Sequence, residues 1–181
     1  MKLIIGLGNF PKQYAMTKHN VGFQVIDEFC KKHNISLDNE NFKGIFYKTP
    51  DYIIAKPLTL MNLSGLFVRE VIKFYKINIE DVLIIYDDIN LDIGLLKLKT
   101  SGTSGGQNGI QNIIDLLGTE KIKRLKIGIG KNKQGILADY VLSNFSKQEL
   151  TLLKPIFIKT NEIIHEFIKD EDFNKIMTKW N

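Results

Sequence analysis

The chain has 181 residues, 44% hydrophobic and 25% charged, enough for one domain with its own core and ordinary for a water-soluble globular protein. Lysine and arginine outnumber aspartate and glutamate by 25 to 20, a net charge of +5 that suits a polyanionic partner without requiring one. A single cysteine, Cys30, excludes a disulfide framework and a cysteine-based metal cluster, and no apolar run approaches the ~20 residues of a membrane helix. The first residues open straight into Lys2-Leu3-Ile4-Ile5 with no signal pattern, so a cytoplasmic protein is expected.

Residues 3–7 form a short apolar run punctuated by Gly6 and Gly8, the pattern of a strand buried on both faces. Residues 10–14 read as loop. Over 19–32, Phe23, Val25, Ile26, Phe29 and Cys30 recur at helical spacing, which makes Cys30 a packing residue. The stretch 34–41 is polar and reads as loop. Residues 44–48 and 52–56 predict two strands joined through Pro50-Asp51 as a hairpin. Residues 57–62 connect a strand to a helix that carries Val68, Val71, Ile72 and Tyr75 on one face.

A second strongly apolar strand over 82–86 ends in Asp87-Asp88. Residues 95–99 alternate apolar and basic side chains, so one face of that strand should be wet. A Ser/Thr/Gly loop over 100–106 leads to helical periodicity over 108–117, stopped by Gly118. Another strand is predicted over 125–129. Ser146-Lys147-Gln148-Glu149 has the form of a capping box and marks a helix start, while Pro155 predicts a kink or break within that helix. A last helix spans about 172–180. Strands alternating with helices give an α/β fold, a single domain with a twisted mixed, mainly parallel β-sheet flanked by helices and one hairpin addition.

Several familiar motifs fail on inspection. Gly6-Leu7-Gly8 invites a dinucleotide reading, but the third glycine of that fingerprint falls on Pro11. Residues 103–109 lack the Gly-Lys-Ser/Thr ending of a nucleotide P-loop. Asp88-Ile89-Asn90-Leu91-Asp92 starts like a calcium loop, yet its sixth position is Ile93 and its twelfth Lys99. His33 and His165 have no metal-ligand company and read as helix-surface residues. Gly102-Thr103-Ser104-Gly105-Gly106 matches a serine nucleophile elbow, and with His19 and Asp87 would complete a triad. The order His, Asp, Ser and the loop residues around Ser104 both argue against that esterase.

What remains is a set of polar residues at strand ends and helix starts. His19 follows the first strand, Asn62 precedes a helix, Asp87 ends the second core strand and Asn108 opens a further helix. In open α/β sheets such positions line one crevice. His19 is the only side chain among them that changes charge near neutral pH. Each alone has a simpler reading: an asparagine capping a helix, an aspartate in a turn, a hydrogen-bonded histidine. Periodicity alone leaves the choice open.

The stretches Gly6-Leu7-Gly8-Asn9, Tyr14, Thr17-Lys18-His19-Asn20-Val21-Gly22-Phe23 and Lys56-Pro57 are followed by Met61-Asn62-x-Ser64-Gly65 and Asp87-Asp88. Ser104-Gly105-Gly106-Gln107-Asn108-Gly109, Arg124-Leu125-Lys126-Ile127-Gly128-Ile129-Gly130 and Asp139-Tyr140-Val141-Leu142 complete the series. In this order, over nearly the whole chain, they resemble bacterial peptidyl-tRNA hydrolase. The resemblance implies an enzyme that cleaves the ester between a peptide and the terminal ribose of tRNA. It implies no metal or other cofactor.

By the same resemblance His19 is the general base for water, Asp87 orients its imidazole, and Asn9, Asn62 and Asn108 position water and peptide and stabilise the oxyanion. Tyr14 and Met61 contact substrate, with Leu60 beside Met61 as an apolar wall. Lys99 and Lys126 grip a tRNA phosphate, Lys126 standing where arginine is usual and so losing bidentate geometry. A solvated strand face accounts for these two lysines equally well. Two positions depart from the family pattern: Gln107 stands where histidine is general and Asn90 where aspartate is. Gln107 cannot titrate and is expected to alter contact with the tRNA end. Some relatives bind RNA without hydrolysis, and that remains the alternative to an enzyme. The partner expected is the acceptor end of peptidyl-tRNA, met by a monomer away from membranes. Whether residues 131–135 move as a lid stays open.

Overall fold

The computed structural model describes residues 1–132 and 135–181, so a lid over 131–135 lies partly outside the described residues. In chain order the elements are β1 (Lys2–Gly6), α1 (Val21–His33), β2 (Asn39–Asn41), β3 (Gly44–Lys48), β4 (Tyr52–Pro57), α2 (Ser64–Tyr75) and β5 (Val82–Asp88). They continue as β6 (Leu96–Lys99), α3 (Asn108–Leu117), β7 (Lys123–Gly128), α4 (Leu137–Val141), α5 (Lys147–Ile168) and α6 (Phe173–Trp180). Single 3-10 turns at Lys18–Asn20 and Met61–Leu63 lead into α1 and α2.

The strands form one sheet in the order β2-β3-β4-β1-β5-β7-β6. Its centre, β4, β1, β5 and β7, is parallel. Antiparallel strands close both flanks: β3 and β2 on one side, β6 on the other. The apolar runs are continuous because both faces are covered. Ile4, Leu83 and Ile85 point into a core shared with α1, α5 and α6. Leu3, Ile5, Val82, Ile84 and Tyr86 point the other way, against α2 and α3. Each fully buried leucine or isoleucine contributes about 2 kcal/mol, so these two cores hold the strand ends in a fixed register.

One close approach places the site. A Cβ on Gly6 would lie 2.2 Å from the Gly22 carbonyl oxygen, and a Cβ on Gly22 would lie 2.4 Å from the Ile85 carbonyl oxygen. Only glycines let the first turn of α1 rest on the backbones of β1 and β5. The turn just before it, which carries His19, is thereby set against the end of β5.

The structure departs from the expected elements in three places. Residues 39–41, expected as loop, are the edge strand β2, and all three are exposed. The strand carries no apolar signal, and its pairing with β3 comes from a two-residue turn in which Phe42 and Lys43 both take positive φ, 57° and 62°. The five-residue helix α4 falls in a stretch without helical periodicity. Pro155 does not break α5, which runs as one 22-residue helix. Pro155 and Thr151, the residue whose carbonyl loses its partner, are both exposed, so water can take the place of the missing N–H. The capping box at Ser146 and Glu149, the stop at Gly118 and the start of α6 at Asp172 stand as the residues predict.

Candidate active site

The site lies where β1 and β5 end and α1, α2 and α3 begin. Its centre is a hydrogen bond of 2.9 Å between His19 Nδ1 and Asp87 Oδ2. Asp87 is 3% exposed, while the imidazole still reaches solvent. No hydrogen bond holds Nε2 among the described residues. Burial alone would push the His19 pKa down, but the charge and hydrogen bond of the Asp87 carboxylate outweigh it and hold the pKa above the ordinary histidine value.

A second layer of bonds frames this pair. The Asn9 backbone N–H donates to Asn20 Oδ1 at 2.8 Å, and Asn20 Nδ2 donates back to the Asn9 carbonyl at 2.9 Å. This reciprocal pair ties the end of β1 to the turn that carries His19. Asn9 Oδ1 accepts from the Met61 backbone N–H at 2.7 Å, leaving Asn9 Nδ2 with no protein partner among the described residues. Gln107 Nε2 donates to Asp87 Oδ1 at 3.0 Å and lies 3.2 Å from Met61 Sδ. Gln107 Oε1 accepts from the Ile110 backbone N–H at 2.8 Å and so caps α3. His19, Asp87, Gln107, Met61, Asn9 and Asn20 therefore form a closed ring of contacts.

Among the described residues, the side chains of the remaining expected residues make no hydrogen bond to this ring. Asn62 follows buried Met61 and is exposed; Asn108 is the first residue of α3 and is also exposed. Leu60, 47% exposed, borders the same turn. Tyr14 is half-buried, and its carbonyl accepts from the Thr17 hydroxyl at 2.7 Å, two residues before His19. The Ser104 hydroxyl accepts from the Gly106 N–H within its own loop at 3.3 Å and makes no bond to His19. Asn90 offers its backbone N–H to Asp88 Oδ1 at 2.8 Å.

Lys99 and Lys126 lie one side of the ring, on the antiparallel edge. Leu96 and Leu98 of β6 turn toward the α5 and α6 core, so Lys97 and Lys99 point to the opposite face together with Lys126 and Arg124 of β7. Lys99 is exposed, as the alternation predicts. Lys126 is not free: its Nζ is 2.6 Å from Asp88 Oδ2, and Asp88 is buried. Since Lys97 sits directly opposite Lys126, the Asp88 carboxylate relieves a like-charge pair.

Two residues with structural command of the site have no role in the sequence reading. Lys18, 5% exposed, reaches from the His19 turn to Ser143 Oγ at 3.0 Å and the Asn144 carbonyl at 2.9 Å. Its ammonium lies over the rings of Tyr140 and Phe145, at 4.9 and 5.5 Å. Arg124, 1% exposed, donates to the carbonyls of Gly102, Thr103 and Glu120 and so holds the glycine loop ahead of α3. Both stand inside the motif stretches quoted above, but their partners lie 125 and 126 residues away for Lys18 and in a featureless loop for Arg124.

A hydrogen-bonded histidine–carboxylate pair at the strand ends of an α/β sheet is an arrangement that general acid–base chemistry can use. The family model for peptidyl-tRNA hydrolase matches residues 3–181. The chain is 50% identical to the peptidyl-tRNA hydrolase of Ureaplasma urealyticum, over 99% of this chain and 98% of that protein. It is 43% identical to that of Mycoplasmoides gallisepticum, over the full length of both. The crystal structure of peptidyl-tRNA hydrolase from Acinetobacter baumannii superposes with a TM-score of 0.92 at 31% identity, covering 100% of this chain and 94% of that one. The chain belongs to the peptidyl-tRNA hydrolase family. No helix among the described residues is long and apolar enough to cross a membrane.

Proposed function

We propose that the chain hydrolyses the ester of peptidyl-tRNA with His19 as general base and Asp87 as its orienting carboxylate. The observation that carries this reading is the Nδ1–Oδ2 bond with Nε2 left open. In the neutral imidazole, a bond to a carboxylate fixes the proton on Nδ1 and the lone pair on Nε2. Nε2 takes a proton from water as the water oxygen attacks the ester carbonyl carbon. The carbonyl π pair moves to oxygen, and the imidazolium is stabilised by Asp87. When the tetrahedral intermediate collapses, the C–O bond to the ribose breaks and its oxygen leaves with the proton from Nε2. The products are a peptide with a free carboxylate and a tRNA with a free terminal hydroxyl.

Amide donors take the oxyanion. The unpartnered Asn9 Nδ2 and the exposed side chains of Asn62 and Asn108 are the groups for this, and one preorganised donor is worth roughly 3 kcal/mol in the transition state. Met61, Leu60 and Tyr14 line the peptide side. Lys99 supplies charge to a phosphate of the acceptor end, and Lys126 joins it by exchanging or sharing its bond to Asp88. The chain is proposed to act as a monomer.

The test is hydrolysis of N-acetylated aminoacyl-tRNA by the wild type and His19→Ala, with tRNA binding measured in parallel. Turnover in the wild type and its loss in the variant, with binding retained, supports the assignment. Equal turnover in both rejects His19 as base. Binding with no turnover by the wild type favours an RNA-binding relative.

A further inference from the structure

Gln107 occupies the point where the start of α3 meets the buried carboxylate of the dyad. Besides the approach to Met61 Sδ, the amide makes two contacts that are chemically one-way: the Ile110 N–H only donates and the Asp87 carboxylate only accepts. Both therefore demand the same orientation of the amide, with Oε1 toward the helix and Nε2 toward Asp87. A flipped amide would set N–H against N–H and oxygen against oxygen. Asp87 in turn divides its oxygens, Oδ2 to His19 at 2.9 Å and Oδ1 to Gln107 at 3.0 Å. A carboxylate this buried costs free energy unless both oxygens are paired, and a bond at one oxygen only would leave it free to swing about that bond.

We infer that Gln107 is a positioning residue of the dyad: it fixes the plane of the Asp87 carboxylate, and hence His19, to the first turn of α3. This deepens the hydrolase reading and rests on it. Both hydrogen-bonding ends of the Gln107 amide are occupied inside the protein, so its work is done before the tRNA end arrives. The neighbouring Asn108, on the same turn and exposed, is left to meet substrate. An amide does not ionise, so the donor to Asp87 persists across the pH range in which His19 gains and loses its proton.

The charged groups around His19 isolate this contact. On β5 they are Asp87 and Asp88, and Asp88 is bound to Lys126. On α4 they are exposed Asp139 and Tyr140, whose hydroxyl donates to the Ile129 carbonyl at 2.6 Å. On α1, Asp27 pairs with Lys56, and Glu28, Lys31, Lys32 and His33 lie further along the helix. Lys18 points away from His19, to Ser143 and Asn144. Among the described residues Asp87 alone bonds to the imidazole, so a change at its second oxygen reads out directly on His19.

Gln107→Asn is the informative variant. Asparagine is a preferred cap, so α3 keeps its start, but the side chain is one methylene shorter and withdraws its N–H from Asp87. Loss of that donor concentrates negative charge on the oxygen facing His19. The His19 titration, followed by NMR in the free protein, should move upward by roughly half a pH unit. With N-acetylated aminoacyl-tRNA, kcat should fall about tenfold with little change in KM. Gln107→Met, which keeps the length and removes the donor, should move the titration in the same direction and serves if the asparagine variant is poorly folded. A His19 titration that stays in place while KM rises would make Gln107 a substrate contact and overturn the inference. A wild type without esterase activity would end the hydrolase reading and still leave the NMR titration to judge the role of Gln107.

Discussion

The ring around His19 and the lysine edge beside it are built on opposite plans. In the ring, six side chains and backbones bond to one another, and Asn9, Asn20, Met61 and Asp87 are buried. On the edge, Lys97 and Lys99 project from a strand into solvent, and of the three lysines only Lys126 has a fixed partner among the described residues. The ring spends its hydrogen bonds before substrate arrives, so its geometry costs nothing to assemble at the moment of reaction. The edge, if it meets RNA as proposed, works through charge, which is screened, tolerant of position and additive. Chemistry and RNA contact should therefore fail in different ways.

The largest effect should come from His19→Ala, with kcat lowered by about 10³-fold and tRNA affinity nearly unchanged, as measured by single-turnover hydrolysis and filter binding. Asp87→Asn should cost less, about 10²-fold, and its pH profile carries the sharper information. A general base works only when neutral, and the Asp87 carboxylate holds the His19 pKa above the ordinary value. The wild-type acid limb of kcat/KM should thus lie above pH ~6.5. In Asp87→Asn, burial is left unopposed and the limb should move below it. A limb that does not move would separate Asp87 from the ring.

On the edge, Lys99→Ala should weaken tRNA binding by several-fold at low salt and reduce the salt slope by about one, with kcat intact. A drop in kcat at saturating tRNA would show that edge and ring are coupled. Smallest of all should be Ser104→Ala, within about twofold of wild type, since among the described residues its hydroxyl bonds only within its own loop. A dead Ser104 variant would move the nucleophile to the glycine loop.

How much of this was legible depends on where the partners lie. The apolar runs of β1 and β5, the hydrophobic face of α2 and the capped start of α5 are local patterns, and they appear where the residues predict. So does the placement of His19 and Asp87 at neighbouring ends of the sheet, because His19 follows β1 and Asp87 lies at the end of β5, and these strands pair in parallel. β2 was invisible because its residues face water and its register is set by a turn. Of the kink or break expected at Pro155, the break is absent because the lost hydrogen bond falls on the solvent side. The burial of Lys18 and Arg124 was hidden for a different reason. A lysine or arginine in a sequence reads as surface, and only the folded chain shows which carbonyls and rings surround it. Gln107 was legible as a departure from the family pattern, but its double engagement with Asp87 and α3 needed the third dimension.

Lys18 also carries a consequence for the order in which the molecule becomes functional. The turn bearing His19 is made within the first 20 residues, yet the groups that clamp it from behind, Ser143, Asn144 and Phe145, are synthesised much later. A nascent chain that has already laid down β1, α1 and β5 still lacks that clamp. Full activity should therefore appear only after the segment beyond residue 145 has left the ribosome, making the turn that bears His19 one of the earliest pieces translated and one of the last to be locked.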